Sequence, residues 1–264
     1  KEDTMRDKEL QMLVAELERI KEIGWIRNQR PGNAGGIGNT LEDLLNIAEN
    51  NLQLPDFGDW EIKSQRTETA SLLTLFHMEP RPRNARIVPQ ILLPRYGWPH
   101  QEAGITYPEN ERSFRQTINA TACSDRGFRV NIDWDSQIIY VSFDYFSIDD
   151  RHSIWRQFIR DGVGTDDISP NPYWTFEDIE KKLNTKLNNL MYVTAETKWE
   201  NGQEYFRYNE FEVYVDPTLD KFLTLVMDGA IYIDFDARTG HNHGTKFRIR
   251  PASKTDLYQD HILV

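Results

Sequence analysis

One cysteine, Cys123, in 264 residues excludes an internal disulfide and fits a reducing, cytoplasmic setting. There is no run of 18 apolar residues, so no transmembrane helix and no membrane role are expected. No signal peptide is expected either, because the opening KEDTMRDKELQMLVAELERI is charged and helix-like. The sequence begins at Lys1 rather than Met, which fits either a piece of a longer protein, with room for an additional N-terminal domain, or a trimmed chain. Internal repeats and low-complexity segments are also missing. What remains is ordinary: 39% hydrophobic and 28% charged residues, enough to bury a core in one large or two-lobed unit.

The net charge of −11 argues at first against a polyanionic partner, but it is unevenly spread. From Arg81 to Arg129 there are eight Arg and no Lys, against four acids: Glu102, Glu109, Glu111 and Asp125. From Ala237 to Pro251 there are Arg238, Lys246, Arg248 and Arg250, and no acid. Arginine without lysine suits planar, bidentate recognition of phosphate or guanine. A solvated surface with chance clustering is the plain alternative.

Residues 5–23 have Leu10, Leu13, Val14, Leu17 and Ile20 at helical spacing. RPGNAGGIGNTLEDLLNI follows, and its four glycines between Pro31 and Gly38 predict an irregular loop, with Thr40 as the N-cap of a helix carrying Glu42. A phosphate-binding P-loop is not indicated, because no Gly-Lys-Ser or Gly-Lys-Thr follows; close backbone approach to something else, such as a DNA backbone, is. DWEIKSQ and SLLTLFHM read as strands. Residues 79–126 read as a long irregular region, and FRVNIDWDSQIIYVSF as a hairpin turning at DSQ. WTFEDIEKKLNTKL reads as a helix capped by Thr175, with Asp178 three residues on. Two strands around ENGQ, a helix closed by Gly229 and two strands around TGHNH complete the chain. The order implies α+β, or α/β with a mostly antiparallel mixed sheet.

One segment carries chemistry. In PDFGDWEIKSQR, residues 55–66, strand alternation puts Glu61 and Lys63 on one face and Ile62 on the other. A bend at Gly58-Asp59 can fold Asp56 back toward Glu61. Two carboxylates and the Ile62 carbonyl form a hard oxygen site suited to Mg2+, and a neighbouring lysine can orient a water or stabilise charge on a phosphate. Metal-assisted phosphodiester hydrolysis needs that set. An exposed strand with an ordinary Glu–Lys pair is the alternative reading of the same residues.

The order of a helix with Glu42, then PD, then EIK, then an apolar strand resembles the PD-(D/E)xK nuclease superfamily. GNAGGIGNTLEDLL, ENNLQLPDFGDWEIKS, SLLTLF, RYG, IDWDSQ, YWTFEDIEKKL, AET and HNHGTKFRI further resemble, in order and spelling, the MvaI/BcnI type II restriction endonucleases, nearest to the MvaI side of that family. The resemblance runs from about residue 22 to the C-terminus and is weakest over residues 79–129 and 144–172. It implies a monomeric, two-lobed, Mg2+-dependent endonuclease that cuts double-stranded DNA at short GC-rich pseudopalindromes of the CC-N-GG kind (CCWGG-like). One lobe would approach from the minor groove and the other from the major groove. It implies Asp56 and Glu61 as metal carboxylates with the Ile62 carbonyl, Lys63 as the catalytic lysine and Glu42 as an auxiliary acid. His241, His243, Thr245 and Arg248 would read bases, with Asp234, Asp236 and Arg238 beside them. One departure stands out: where the family has Asp-x-Arg, this chain has DFDAR, so Asp236 falls where an arginine is expected and Arg238 lies two positions on. The expected division is a catalytic lobe over 1–78 and 127–212 and a recognition lobe over 213–264 with the 79–126 region.

Other readings stay open. His241 and His243 could form a His-x-His metal pair or be surface histidines, with no third ligand in view. Trp134, Trp174 and Trp199 are expected in the core rather than as base-stacking platforms. A MutH-like strand nickase shares the catalytic pattern, and a DNA-binding module without catalysis is a third class.

Overall fold

The computed structural model describes residues 2–33, 35–45, 58–67 and 69–264. In chain order the first elements are α1 (Glu2–Ile23), β1 (Ile26–Arg27), α2 (Gly36–Leu44), β2 (Glu61–Arg66) and β3 (Leu73–His77). A π-helical segment, Val88–Tyr96, precedes β4 (Trp98–Pro99), β5 (Arg112–Ile118), β6 (Arg126–Asp133), β7 (Ile138–Ile148), α3 (Ser153–Gly162) and β8 (Tyr173–Thr175). Then come α4 (Phe176–Lys186), β9 (Asn189–Glu200), β10 (Gln203–Pro217), α5 (Leu219–Met227), β11 (Ile231–Arg238), β12 (His241–Asn242), β13 (Lys246–Ile249) and β14 (Tyr258–Leu263). The class is the expected mixed α+β.

Two compact units result: residues 1–71, 181–218 and 254–264, and residues 72–180 and 219–253. This grouping differs from the division drawn from the sequence. Residues 127–180 belong with the unit built on β11, not with the one carrying Glu61, because β6, β7 and β8 form a sheet of their own and no strand of theirs pairs with β9 or β10. Residues 213–218 and 254–264 go the other way, since β14 pairs with β10.

In the first unit the sheet runs β1-β10-β9-β2, with β14 also on β10. β9 and β10 form a hairpin whose turn places Asn201 and Gly202 at positive φ, the conformation a tight primed turn requires. One sheet face packs on α1 and α2, burying Leu13, Leu17, Ile37 and Leu41 against Ile62, Met191 and Val193. Phe206 and Tyr208 of β10 face this core, as do Phe211 and Val213. A bulge between Tyr208 and Glu210 switches the alternation, so even and then odd positions point the same way. β2 lies parallel to β9, with Glu61 opposite Leu190 and Lys63 opposite Tyr192.

α2 corrects the sequence reading. The helix begins at Gly36, so Gly36 and Gly38 lie inside it, and Thr40 is an interior residue whose Oγ1 accepts from the Gln29 N–H at 3.1 Å. Gly36 is there for close approach within the protein, since a Cβ would lie 2.7 Å from the Asn28 amide; a Cβ at Gly38 would meet Ser64 Oγ at 3.4 Å, an ordinary contact.

The second unit holds the sheet β3-β13-β11-β5-β4, with β12 on β11, and the sheet β6-β7-β8. Its core is aromatic: Phe76, Phe114, Phe128, Trp174, Phe235 and Phe247 are buried, and Trp174 Nε1 donates to Met78 O at 2.9 Å. Residues 79–126 are not a long irregular region. They contain the π-helical segment and β5, which lies between β11 and β4. β5 escapes a hydrophobic pattern because Gln116 and Ser113 are among its buried residues, Gln116 Oε1 accepting from Ser124 Oγ at 2.6 Å. Trp174 is core as expected; Trp134 and Trp199 are exposed. The Thr175 cap is present, with Asp178 N–H donating to Thr175 Oγ1 at 3.1 Å.

Candidate active site and nucleic-acid interface

Strand alternation turns Ile62 into the α1/α2 core and leaves Glu61 and Lys63 on the opposite face of β2, beside Leu190 and Tyr192. Glu61 is 4% exposed. Lys63 Nζ donates to Glu61 Oε1 at 3.0 Å, and Lys186 Nζ forms an ion pair with Glu61 Oε2 at 2.7 Å. A buried carboxylate thus has one ammonium group on each oxygen. Tyr258 lies buried nearby; burial first, and then the Glu61 charge, push its phenol far above the ordinary value and keep it protonated.

Glu42 is half-buried on α2, the helix whose Gly38 abuts Ser64 of β2. Asp56, expected as the second carboxylate, lies outside the described residues. Among the described residues no three His, Cys, Asp or Glu side chains gather to hold a metal ion. The chemistry of the donors present still fits a hard divalent cation: Glu61 is a buried oxygen ligand in a setting built to hold positive charge against it.

The second cluster lies on β11, β5 and β13. Ile231, Ile233, Phe235 and Ala237 of β11 are buried, so Asp234, Asp236 and Arg238 share the other face. On β5, Thr117 pairs with Asp234 and Arg115 with Asp236; on β13, Lys246 pairs with Asp234. Phe247 and Ile249 are buried, and Lys246 and Arg248 turn to the polar side.

Each acid on this face is held by cations. Asp234 accepts from Thr117 Oγ1 at 2.9 Å and Arg248 Nη1 at 3.2 Å. Arg248 Nη2 also donates to Leu72 O at 2.7 Å. Asp236 takes Arg115 Nε at 2.7 Å and Lys246 Nζ at 3.5 Å. Burial works to raise the Asp236 carboxyl, but the hydrogen bond and charge of Arg115, with Lys246 and His243 near, hold it below its ordinary value. Arg238 Nη1 pairs with Glu111 Oε1 at 3.1 Å and stacks over Tyr107.

His241 and His243 are exposed, their rings 4.2 Å apart by centroid. Thr245 is not brought to this face: it is buried, with its N–H donating to Glu79 Oε1 at 2.7 Å. A cleft of about 610 Å3 beside the β11–β12 turn is lined by Glu79, Arg83, Arg86, Gln90, Arg238 and Asn242 among others.

Sequence reasoning missed Lys186 and Arg115. Lys186 ends α4, where a lysine reads simply as a helix-dipole partner. Arg115 lies within the arginine-rich stretch, where the only strand signal is the run SFRQTI, with Arg and Thr two apart.

The family model described as the MvaI/BcnI restriction endonuclease family matches residues 14–258. Among solved structures, the chain is similar to restriction endonuclease MvaI in complex with its cognate DNA substrate. Identity is 28%, the TM-score is 0.78, and the match covers 96% of this chain and 97% of that one. It is also similar to restriction endonuclease MvaI in the absence of DNA, at 28% identity and a TM-score of 0.52 over 97% of both chains. No curated protein matches. A family match over nearly the whole chain, joined to a shared mixed α+β fold, gives one conclusion: this chain belongs to the MvaI/BcnI family of type II restriction endonucleases, which are DNA-cleaving hydrolases.

Proposed function

We propose that the chain is a Mg2+-dependent, monomeric endonuclease that hydrolyses double-stranded DNA at a short GC-rich pseudopalindrome of the CC-N-GG kind. The observation that carries this is the buried Glu61 with an ammonium group on each oxygen. In this reading the unit of residues 1–71, 181–218 and 254–264 performs hydrolysis, and the other unit reads DNA.

Asp56, Glu61 and the Ile62 carbonyl would hold Mg2+, which when bound supplies Lewis-acid polarisation of the scissile phosphate and a more acidic water. Lys63 stands two residues from Glu61 on the same strand face and orients the attacking water or meets the charge developing on phosphorus. Glu42 on α2 acts as an auxiliary acid. On the other unit, Asp234, Asp236, Arg238, His241, His243 and Arg248 form the reading surface. Arg115 joins them and supplies the guanidinium opposite Asp236. Thr245, being buried, supports the β12–β13 turn instead.

The test is a supercoiled plasmid with MgCl2. Discrete double-strand fragments with one reproducible end sequence are expected, with open circles ahead of linear product because the chain carries one Asp-Glu-Lys set. Nicks without linear product would favour a strand nickase. No cleavage at any divalent cation, with DNA still bound, would leave only a binding module.

A further inference from the structure

Glu61 has one contact that belongs to no nuclease motif. Lys186 is the last residue of α4, where the unpaired helix carbonyls favour a cation, and its Nζ reaches Glu61 Oε2 at 2.7 Å. Lys63 holds Oε1 at 3.0 Å. The Glu61 side chain is 5% exposed, and those of Lys63 and Lys186 are 15% and 19% exposed. Two positive charges therefore neutralise one buried carboxylate, and each of its oxygens faces one of them.

A divalent cation bonds a carboxylate oxygen at about 2.0–2.1 Å for Mg2+, far inside the distance of an ammonium contact. On Oε2 it meets the Lys186 ammonium, and the two positive charges oppose each other. That repulsion favours release of one lysine. Lys63 is fixed two residues from Glu61 on the same strand face, and its proposed task is beside the phosphate. Lys186 sits at the end of α4, outside the β2 strand that carries Glu61, so rotation of its side chain releases Oε2 without moving β2.

Resting on the reading of Glu61 as a metal ligand, we infer that Lys186 is a stand-in cation. It holds the buried Glu61 carboxylate in position before metal arrives, and releases Oε2 when a divalent cation enters. Lys186 is thus a positioning residue that sets metal affinity: it lowers the affinity, in exchange for a site that stays formed without metal.

The experiment uses the whole chain without DNA. Mn2+ is titrated calorimetrically into wild type, Lys186→Met and Glu61→Gln, and melting temperatures are recorded with and without Mn2+. Lys186→Met keeps the aliphatic stem and removes the charge. It should bind Mn2+ about tenfold or more tighter than wild type, melt lower without metal, and gain more from Mn2+ than wild type does. Should Lys186→Met fail to fold, Lys186→Gln keeps length and polarity and carries the same expectation. Affinity equal to or weaker than wild type in the folded variant, with Glu61→Gln losing Mn2+, would overturn the stand-in role and leave Glu61 as a ligand. Equal Mn2+ binding by wild type and Glu61→Gln would overturn the ligand reading itself, and this inference with it.

Discussion

Arg115 of β5 and Asp236 of β11 stand directly opposite each other in the antiparallel ladder, with Nε 2.7 Å from Oδ1. Two residues along β11, Asp234 is held by Arg248 from the other neighbouring strand. The two pairs differ in burial. The Arg115 side chain is 59% exposed and that of Arg248 27%, with Arg248 also tied to the Leu72 carbonyl. Arg115 thus projects further from the sheet, while Arg248 also braces it.

Arg115→Gln is therefore expected to leave thermal stability nearly unchanged, since an exposed ion pair contributes about 0–1 kcal/mol. Arg248→Ala should lower unfolding free energy by about 1–3 kcal/mol, because Asp234 loses a buried partner. On DNA, a guanine contact by Arg115 would cost about 1–3 kcal/mol on the cognate duplex and little on a scrambled one. Denaturation curves and gel shifts on both duplexes separate the cases. Equal loss on the two duplexes, with a shallower salt slope, would make Arg115 a phosphate contact.

Asp236 also predicts an acid-side effect. Its folded pKa lies below its unfolded value, so its contribution is present above about pH 4 and is lost as pH falls through the depressed folded value. Asp125 beside His152 and Asp178 beside Arg81 are lowered too, so the whole acid limb belongs to several groups. The difference between wild type and Asp236→Asn isolates one of them. Melting temperatures from pH 6 to pH 2.5 should show the gap between the two proteins closing below about pH 4. A gap unchanged at the lowest pH would remove Asp236 as the cause.

Local patterns in the sequence carried much of the fold. Glu61 and Lys63 share a face because a strand alternates, Thr175 caps α4 through Asp178, and Asn201-Gly202 turns the long hairpin. What escaped depends on distant residues. Gly36 reads as part of a loop because the Asn28 amide that requires a missing Cβ is not visible in a glycine. β5 hid because its buried face includes Gln116 and Ser113, satisfied by partners elsewhere. The residue type of Trp134 predicts a core position, yet it falls in the tight turn between β6 and β7, where a ring projects outward. Lys186 meets Glu61 only through the fold, and no local spacing announces it.

The Asn28 contact makes Gly36→Ala a sharp test. Asn28 Nδ2 donates to Glu204 Oε2 at 2.8 Å, its Oδ1 accepts from Arg30 N–H at 2.8 Å, and Arg66 of β2 also holds Glu204. The amide cannot swing aside without releasing that buried set. Overpacking there should cost about 1–3 kcal/mol and shift α2, with Glu42, away from β2. Urea midpoints should fall for Gly36→Ala and fall by less when Asn28→Ala is already present. Additive costs in the double variant would mean the two positions do not meet.

Glu61→Gln tests the hydrolytic centre at its most buried charge. The change keeps the shape and removes the negative charge between Lys63 and Lys186. Loss of a preorganised electrostatic group of this kind costs about 10²–10³ in rate, so cleavage should fall at least that far. Binding should behave differently. With the carboxylate gone, two ammonium groups face the site without a counter-charge, which favours a phosphate backbone. Affinity for the cognate duplex in Ca2+ should be retained or raised, with a salt slope steeper by about one unit. Gel shifts across a salt series, paired with single-turnover cleavage in Mg2+, read both effects in one preparation. Cleavage within threefold of wild type would remove Glu61 from the catalytic set. Lost cleavage together with lost binding would point to a collapsed site instead.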